Sequence, residues 1–172
     1  MNLESHKFYS DDELLYLNEV YNKSESLIYR RHHNLFFVEK RNLGPSRFVH
    51  VEKLEDSYKK KVKHQYFLKY SKNSFAKIHN DNNSGLTQVT LCETSEDVIG
   101  GQIITELPYR SNNFSGIVRP DDKDIIGRDC VPRIVNLNNG ETITYGSNVL
   151  HGVTQIEQGM RKVFIVWFEK DR

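Results

Sequence analysis

The chain has 172 residues, a net charge of +1 and 27% charged residues. This length fits one domain with its own core, and the low net charge excludes a partner bound by electrostatics alone, such as nucleic acid or acidic lipid. An apolar fraction of 37%, with nine Tyr, nine Phe and one Trp, excludes a disordered chain. No apolar stretch of about 18 residues occurs, so a membrane is not an expected partner.

Cysteine usage and the first residues bear on the compartment. Residues 1–7 lack the apolar core of a secretory signal peptide. Cys92 and Cys130 are the only cysteines, which is too few for a disulfide framework and unsuited to a zinc knuckle. We therefore expect a reducing, intracellular compartment, and the cytoplasm in particular. The sequence does not indicate an oligomeric state.

The first sixty residues carry two helix patterns and one strand pattern. Residues 10–13, Ser-Asp-Asp-Glu, have the form of a capping box before helically spaced apolar residues, which predicts a helix from Asp11 into the twenties. The short aromatic segment 34–38 predicts a strand, and 51–63 predicts a second helix. The basic run at 59–63 is interpreted as a solvated helix face rather than a phosphate site.

From Gln65 onward, short apolar segments alternate with turn-forming Asn, Gly, Ser and Asp. Short strands at this spacing are typical of an antiparallel sandwich or barrel. With no repeat or linker in the sequence, this predicts a single domain, 1–172, in which a helical support region at 1–63 packs against a β core at 64–170. The predicted strands are 66–70, 86–91, 102–107, 142–145 and 163–168.

A candidate metal-binding pair lies in the segment Ile78-His79-Asn80-Asp81. Alternate side chains share a face in an extended segment, so His79 and Asp81 can present a nitrogen and an oxygen ligand to one divalent metal. The pattern is also common in surface loops, and that alternative stays open here. His151, which follows a strand, a Gly turn and an apolar pair, is the candidate for a third ligand, with a satisfied core histidine as its alternative.

Arg161, ten residues after His151, opens the apolar run 161–168. Period two places Arg161, Val163, Ile165 and Trp167 on one strand face. A guanidinium at the start of an apolar strand needs an anion, and its planar fork matches a carboxylate in a bidentate way. An internal Asp or Glu could also be that anion. Two histidines and one carboxylate leave metal positions open, as in the facial triad of non-haem Fe(II) oxygenases.

These pieces resemble the 2-oxoglutarate/Fe(II) dioxygenases, and within them the prolyl 4-hydroxylase-like branch. The resemblance covers roughly 66–168 and implies a mainly β fold: a double-stranded β-helix (jelly-roll, cupin-like) core preceded by N-terminal helices. The matching segments are Tyr70, His79-Asn80-Asp81, Gly100-Gly101, 140–145, the segment from His151 to Arg161, and Val166-Trp167-Phe168.

The resemblance also implies residue roles. His79, Asp81 and His151 would bind Fe(II) and be the catalytic residues, and Arg161 would bind the distal carboxylate of 2-oxoglutarate. Ascorbate is a further cofactor that the resemblance suggests.

Tyr70, Trp167 and Thr90 are the other candidates for the cosubstrate pocket. Core packing is the alternative for Tyr70 and Trp167. The branch often has a Tyr on the strand that follows His-x-Asp, but the corresponding strand here, 85–92, has none. Thr90 or Cys92 would take the place of that Tyr.

The implied reaction is hydroxylation of a C–H bond, most simply of a prolyl residue in a peptide or protein, with release of succinate and CO2. Because Asp81 is present, hydroxylation is favoured over halogenation. Free amino acids and other small molecules are alternative substrates, and a cupin-like metal or ligand-binding module without turnover is the non-enzymatic alternative. Nucleic-acid demethylation is disfavoured, since the Arg-x5-Arg pattern of those relatives is missing after Arg161.

One long segment, 107–135, shows little strand periodicity. Loops of this length are usually functional or disordered. We expect 108–124 to fold over the open metal face as a substrate lid, with Tyr109 and Arg110 as contacts. A solvated insertion without a role is the alternative.

Overall fold

The computed structural model describes residues 2–171. Among these residues, no helix is both long enough and apolar enough to cross a membrane. The helices are Asp11–Lys23 (α1), Val51–Tyr58 (α2) and Lys123–Ile126 (α3), with single 3-10 turns at Pro45–Arg47 and Tyr109–Asn113. The strands are Asn2–His6 (β1), Leu27–Ile28 (β2), Leu35–Phe36 (β3), Glu39–Leu43 (β4), Val62–Tyr70 (β5), Phe75–His79 (β6), Leu86–Thr94 (β7), Ile103–Thr105 (β8), Arg133–Val135 (β9), Thr142–Gly146 (β10), His151–Val153 (β11) and Arg161–Phe168 (β12).

Two antiparallel sheets form the body of the molecule. The larger sheet has seven strands in the order β1-β10-β7-β12-β5-β4-β2, and the smaller has five in the order β3-β6-β11-β8-β9. Aliphatic side chains from both sheets form one buried cluster, including Leu68, Val89, Ile103, Val153 and Val163. The sheets therefore face each other across a shared core, and the expected mainly β architecture is confirmed.

Helices α1 and α2 cover the outer face of the larger sheet. Their buried residues Leu17, Tyr21 and Leu54 pack with Phe67 and Phe164 from the central strands. The capping box at the start of α1 is present: Ser10 N–H donates to Glu13 Oε1 (2.8 Å), and Glu13 N–H donates to Ser10 Oγ (3.2 Å). The helix predicted from Asp11 is confirmed.

The second helix is shorter than the sequence predicts. It ends at Tyr58 because Lys59 adopts a left-handed conformation with φ of 56°, and the chain then enters β5 at Val62. The segment predicted as one helix, 51–63, thus contains the end of a helix and the start of a strand.

The N-terminal third is more than a helical support region. Strands β1 and β4 lie within residues 1–63 and pair with β10 and β5 of the larger sheet. The strand predicted at 34–38 is only Leu35–Phe36, because Phe37 has a φ of 59° and redirects the chain into β4. A tight turn at 32–35 results, closed by paired backbone hydrogen bonds between His32 and Leu35.

Before it enters β9, the segment 107–135 packs on the outer face of the smaller sheet. Val118 and Ile126 from this segment are fully buried against Ile78, Ile104 and Leu150. It therefore closes a third apolar cluster on the side of that sheet that faces away from the sheet-to-sheet core.

Candidate active site

The histidine and carboxylate candidates meet where two neighbouring strands begin and end. Strand β6 ends at His79, β11 begins at His151, and the two residues are direct partners in the antiparallel ladder. Their rings are 4.3 Å apart. Asp81 follows in the turn after β6, with Oδ1 3.5 Å from His79 Nε2 and 3.6 Å from His151 Nε2.

Backbone carbonyls fix the tautomers of both imidazoles. His79 Nδ1 lies 2.6 Å from the carbonyl oxygen of Lys77, and His151 Nδ1 lies 2.9 Å from that of Val149. A carbonyl can only accept, so each Nδ1 carries the proton and each Nε2 keeps its lone pair. Both lone pairs are on the side of Asp81. With the proton on Nδ1, each imidazole is in the tautomer that binds a metal through Nε2.

Electrostatics keep His79 in its metal-binding form. Burial, together with repulsion from His151, lowers the pKa of His79 to about 4, although the Asp81 carboxylate opposes the change. The neutral imidazole is the form that coordinates a cation.

The three side chains fit a small divalent metal ion. One donor atom from each of His79, Asp81 and His151 lies within 4.8 Å of the others. Ligands held roughly 2.1 Å from a metal and at right angles to each other are about 3 Å apart, so the carboxylate–imidazole distances need to shorten by only about half an ångström. Two nitrogens and one oxygen on one side match the facial set of non-haem Fe(II) sites.

Thr87 orients the carboxylate ligand. Its hydroxyl donates to Asp81 Oδ2 over 2.8 Å, which leaves Oδ1 directed between the two histidines. Thr87 is fully buried on the inner face of β7. Partners of this kind hold metal ligands in place.

We expect Thr87→Val to lower metal affinity about tenfold or more, because the carboxylate loses the hydrogen bond that orients it. Titration of the apoprotein with Co(II) or Mn(II) by calorimetry measures this without turnover. Thr90→Val is the matched control, since Thr90 lies on the opposite face of the same strand and pairs with Thr142. Equal affinity of both variants would contradict the role given to Thr87.

A cavity of about 570 Å³ opens beside the metal cluster, between the two sheets. Arg161, Val163, Ile165 and Trp167 all line it, which confirms the strand face predicted from period two. Tyr70 lines it as well. The cosubstrate candidates Arg161, Tyr70 and Trp167 therefore share one cavity with the three metal-ligand candidates.

Arg161 is buried without a counterion. It is 6% exposed, and within residues 2–171 its side chain makes no salt bridge and no hydrogen bond. The ladder places it opposite Tyr70, and burial lowers its pKa to about 10, so it stays charged near neutral pH. Among residues 2–171 no Asp or Glu pairs with Arg161, so its guanidinium is available to an anion from outside.

A glycine leaves space for this side chain. Gly101 has a φ of 71°, and a Cβ there would lie 2.4 Å from Ile156 Cδ1 and 3.4 Å from Arg161 Cδ. The absence of a side chain at Gly101, in the Gly100-Gly101 segment, thus allows Ile156 and Arg161 to pack closely against it.

Thr90 does not line the cavity, which corrects the expectation from sequence. It lies opposite Phe164 on the helix-covered face of the larger sheet, where its hydroxyl is 2.7 Å from that of Thr142. Cys92 packs on the same outer face. Alternation along β7 instead turns Thr87 and Val89 inward, and Val89 lines the cavity.

Tyr145 is a site residue that the sequence analysis missed. Its buried hydroxyl lies 3.2 Å from His151 Nε2, the atom that would bind the metal. Burial raises the pKa of this phenol well above its usual range, with the Asp81 charge as a further cause, so it stays protonated. Strand periodicity on β10 gives Tyr145 the same parity as Ile143, but only the fold places it beside His151.

The segment 108–124 does not cover this cavity. None of the described residues from 107 to 135 lines it; Tyr109 is 83% exposed and borders a separate cleft instead. Residues 32–35, for which the sequence predicted no role in a site, line the cavity instead. The structure thus gives no support to 108–124 as a lid over this cavity.

Comparison with known proteins shows the same architecture elsewhere. No protein-family profile and no curated protein sequence matches the chain. Among solved structures, a Pseudomonas putida prolyl-4-hydroxylase is similar with a TM-score of 0.66 and 14% identity, over 98% of this chain and 92% of that one.

Two further structures extend the likeness. HygX from Streptomyces hygroscopicus, with nickel, 2-oxoglutarate and hygromycin B bound, has a TM-score of 0.67 at 10% identity, over 96% and 82% of the two chains. A viral collagen prolyl hydroxylase from Paramecium Bursaria Chlorella virus-1, in complex with 2-oxoglutarate, has a TM-score of 0.61 at 11% identity, over 98% and 96%. The chain thus has the jelly-roll fold of the 2-oxoglutarate/Fe(II) oxygenases.

Proposed function

We propose that the protein is a 2-oxoglutarate- and O2-dependent Fe(II) oxygenase that hydroxylates a C–H bond. The observation that carries this proposal is a three-donor metal cluster and an unpaired, buried guanidinium in the same cavity. The facial ligand set leaves metal positions for a cosubstrate. Arg161 supplies the countercharge that the far carboxylate of a dicarboxylic acid needs.

Each side chain has a separable task in this proposal. His79, Asp81 and His151 hold the metal, while Thr87 and two backbone carbonyls keep their donor atoms aimed at it. Bound there, Fe(II) would supply the redox chemistry with O2. Arg161 fixes one end of the cosubstrate, and the aliphatic side chains of β12 exclude water from the space between.

The proposed reaction accounts for both oxygen atoms of O2 and for the four electrons that reduce them. One oxygen atom of O2 enters the substrate as a hydroxyl group, and the other enters succinate, which forms with CO2 from 2-oxoglutarate. Decarboxylation of the cosubstrate provides two of the four electrons that reduce O2, and the substrate C–H bond provides the other two. Ascorbate takes no part in this balance, and we include it only as a reductant that keeps iron ferrous.

Two substrate classes fit the proposal. A prolyl residue in a peptide or protein is supported by the likeness in fold to two prolyl hydroxylases. A free amino acid or another small molecule is supported by the positive charges that line the cavity.

Succinate formation from 2-oxoglutarate tests the reaction class. We expect succinate when the protein is loaded with Fe(II), and none when Zn(II) occupies the same ligands, because zinc has no redox chemistry. A cupin-like binding module would bind 2-oxoglutarate but form no succinate with either metal.

A further inference from the structure

A second cation faces the cavity, apart from Arg161. Lys40 on β4 lies opposite Leu68 of β5, and both residues line the cavity. Its Nζ lies 4.4 Å from the centroid of the Tyr66 ring. Among residues 2–171, no carboxylate pairs with Lys40 and no side-chain hydrogen bond satisfies it. Burial lowers the pKa of this amine, which reflects the cost of a cation held without an anion.

The neighbours of Lys40 on the same strand show that this absence is specific to the cavity face. Glu39 and Arg41 point to the opposite face, where they form a salt bridge of 2.8 Å. The strand therefore places its ion pair under α1, and Lys40 is its charged residue on the inward face.

The cavity as a whole has an excess of positive charge. Among the described residues that line it, Arg161, Lys40 and Lys77 are cationic and Asp81 is the only carboxylate. In the proposed function, the charges of Fe(II) and Arg161 are matched by those of Asp81 and a doubly charged 2-oxoglutarate. The charges of Lys40 and Lys77 then remain for the substrate.

The surroundings of Lys40 suit a small molecule. Tyr66 lies beside it and Trp167 lies beside Tyr66, with ring centroids 6.4 Å apart, and residues 32–35 line the same cavity. Trp167 Nε1 is buried without a hydrogen-bond partner in the described part of the chain. Burial raises the pKa of the neighbouring Tyr66 well above its usual range, and the nearby Trp167 opposes this increase. An aromatic wall with a few polar groups is typical of small-molecule sites, which hold roughly 300–1,000 Å³.

We propose that Lys40 is the anion-binding residue at the substrate end of this cavity, and that the substrate is a small molecule with a free carboxylate, such as an amino acid. This rests on the proposed function, because it assigns Arg161 to the cosubstrate. One ammonium matches one carboxylate, whereas an internal peptide residue brings no anion to Lys40.

Matched ligand pairs test the proposal by calorimetry on protein loaded with Zn(II) and 2-oxoglutarate, which blocks turnover. The probes are the common free amino acids, their primary carboxamides, a prolyl peptide with blocked ends, and inorganic phosphate. We expect at least one amino acid to bind, and its carboxamide to bind about tenfold more weakly or worse, since it lacks the charge-assisted contact.

Variants then assign the preference to Lys40. Lys40→Met should remove the difference between acid and amide, and Lys40→Arg should keep most of it. Lys69→Met, on the next strand and outside the cavity lining, is the control and should bind like the wild type. Thermal unfolding of each variant checks that the fold is retained.

Several outcomes would overturn the proposal. One is equal binding of acids and amides, and another is an acid preference that is retained in Lys40→Met. Binding of the blocked peptide or of phosphate in place of any amino acid would also overturn it, as would no binding of any probe. A loss of 2-oxoglutarate affinity in Lys40→Met as large as that in Arg161→Ala would assign Lys40 to the cosubstrate and also overturn it. Failure of the wild type to form succinate with Fe(II) would instead count against the proposed function.

Discussion

Alanine at His79, Asp81 or His151 is expected to lower metal affinity and succinate formation by more than about 100-fold each. The reason is that every one of the three supplies a donor atom to a cluster only 4.8 Å across, and loss of a ligand exceeds the 10- to 100-fold cost of losing a partner of a ligand. Calorimetric titration with Co(II) and a succinate assay with Fe(II) measure the two effects separately.

The controls for this prediction are a carboxylate and an imidazole outside the cluster. Asp56→Ala, at an exposed position of α2, and His6→Ala, at the end of β1, should retain metal binding and turnover. Asp81→Asn keeps the shape of the side chain but removes its charge, so it should resemble Asp81→Ala in metal affinity. Wild-type metal content in any of the three ligand variants would contradict the assignment.

Removal of the Arg161 guanidinium is expected to weaken 2-oxoglutarate binding about 100-fold or more. A buried charge-assisted pair is worth roughly 2–5 kcal/mol when one partner is truncated, and 1.4 kcal/mol corresponds to a factor of ten. Arg161→Lys keeps the charge but not the bidentate geometry, so its affinity should lie between those of Arg161→Ala and the wild type. Calorimetric titration of 2-oxoglutarate into Zn(II)-loaded protein gives the three dissociation constants.

Arg47→Ala, in an exposed turn, serves as the control for loss of a positive charge. Its 2-oxoglutarate affinity should equal that of the wild type. Metal affinity in Arg161→Ala should also be unchanged, because Arg161 is not among the three clustered ligands. If Arg161→Ala bound 2-oxoglutarate as tightly as the wild type, the basis for naming this cosubstrate would be lost.

The parts of this site that could be predicted from sequence are those that depend on local patterns. Strand alternation is enough to align Arg161 with Trp167 on one face, and a two-residue spacing is enough to direct His79 and Asp81 to one point. His151 required an argument from motif resemblance, because its pairing with His79 is a contact across 72 residues of sequence that no local pattern contains.

The site residues and the segment that the sequence placed differently, or did not find, have one physical cause in common. Their positions depend on which face of each sheet is covered by other elements, and local sequence does not show this. Thr90 has a polar side chain in a strand next to the cluster, but the helices cover that face, and the site lies on the other one. Tyr145 and Lys40 were missed for the same reason, as their strands meet the cavity only after two sheets have packed. The segment 108–124 was expected over the metal, but its buried Val118 anchors it to the outer side of the smaller sheet.

The fate of molecular oxygen tests the proposed reaction most directly. Wild-type protein with Fe(II) and 2-oxoglutarate is incubated under ¹⁸O2, and succinate is analysed by mass spectrometry. We expect succinate that carries one ¹⁸O atom, at a rate that falls to background in Asp81→Ala. Succinate without label, or equal label in the wild type and Asp81→Ala, would contradict it.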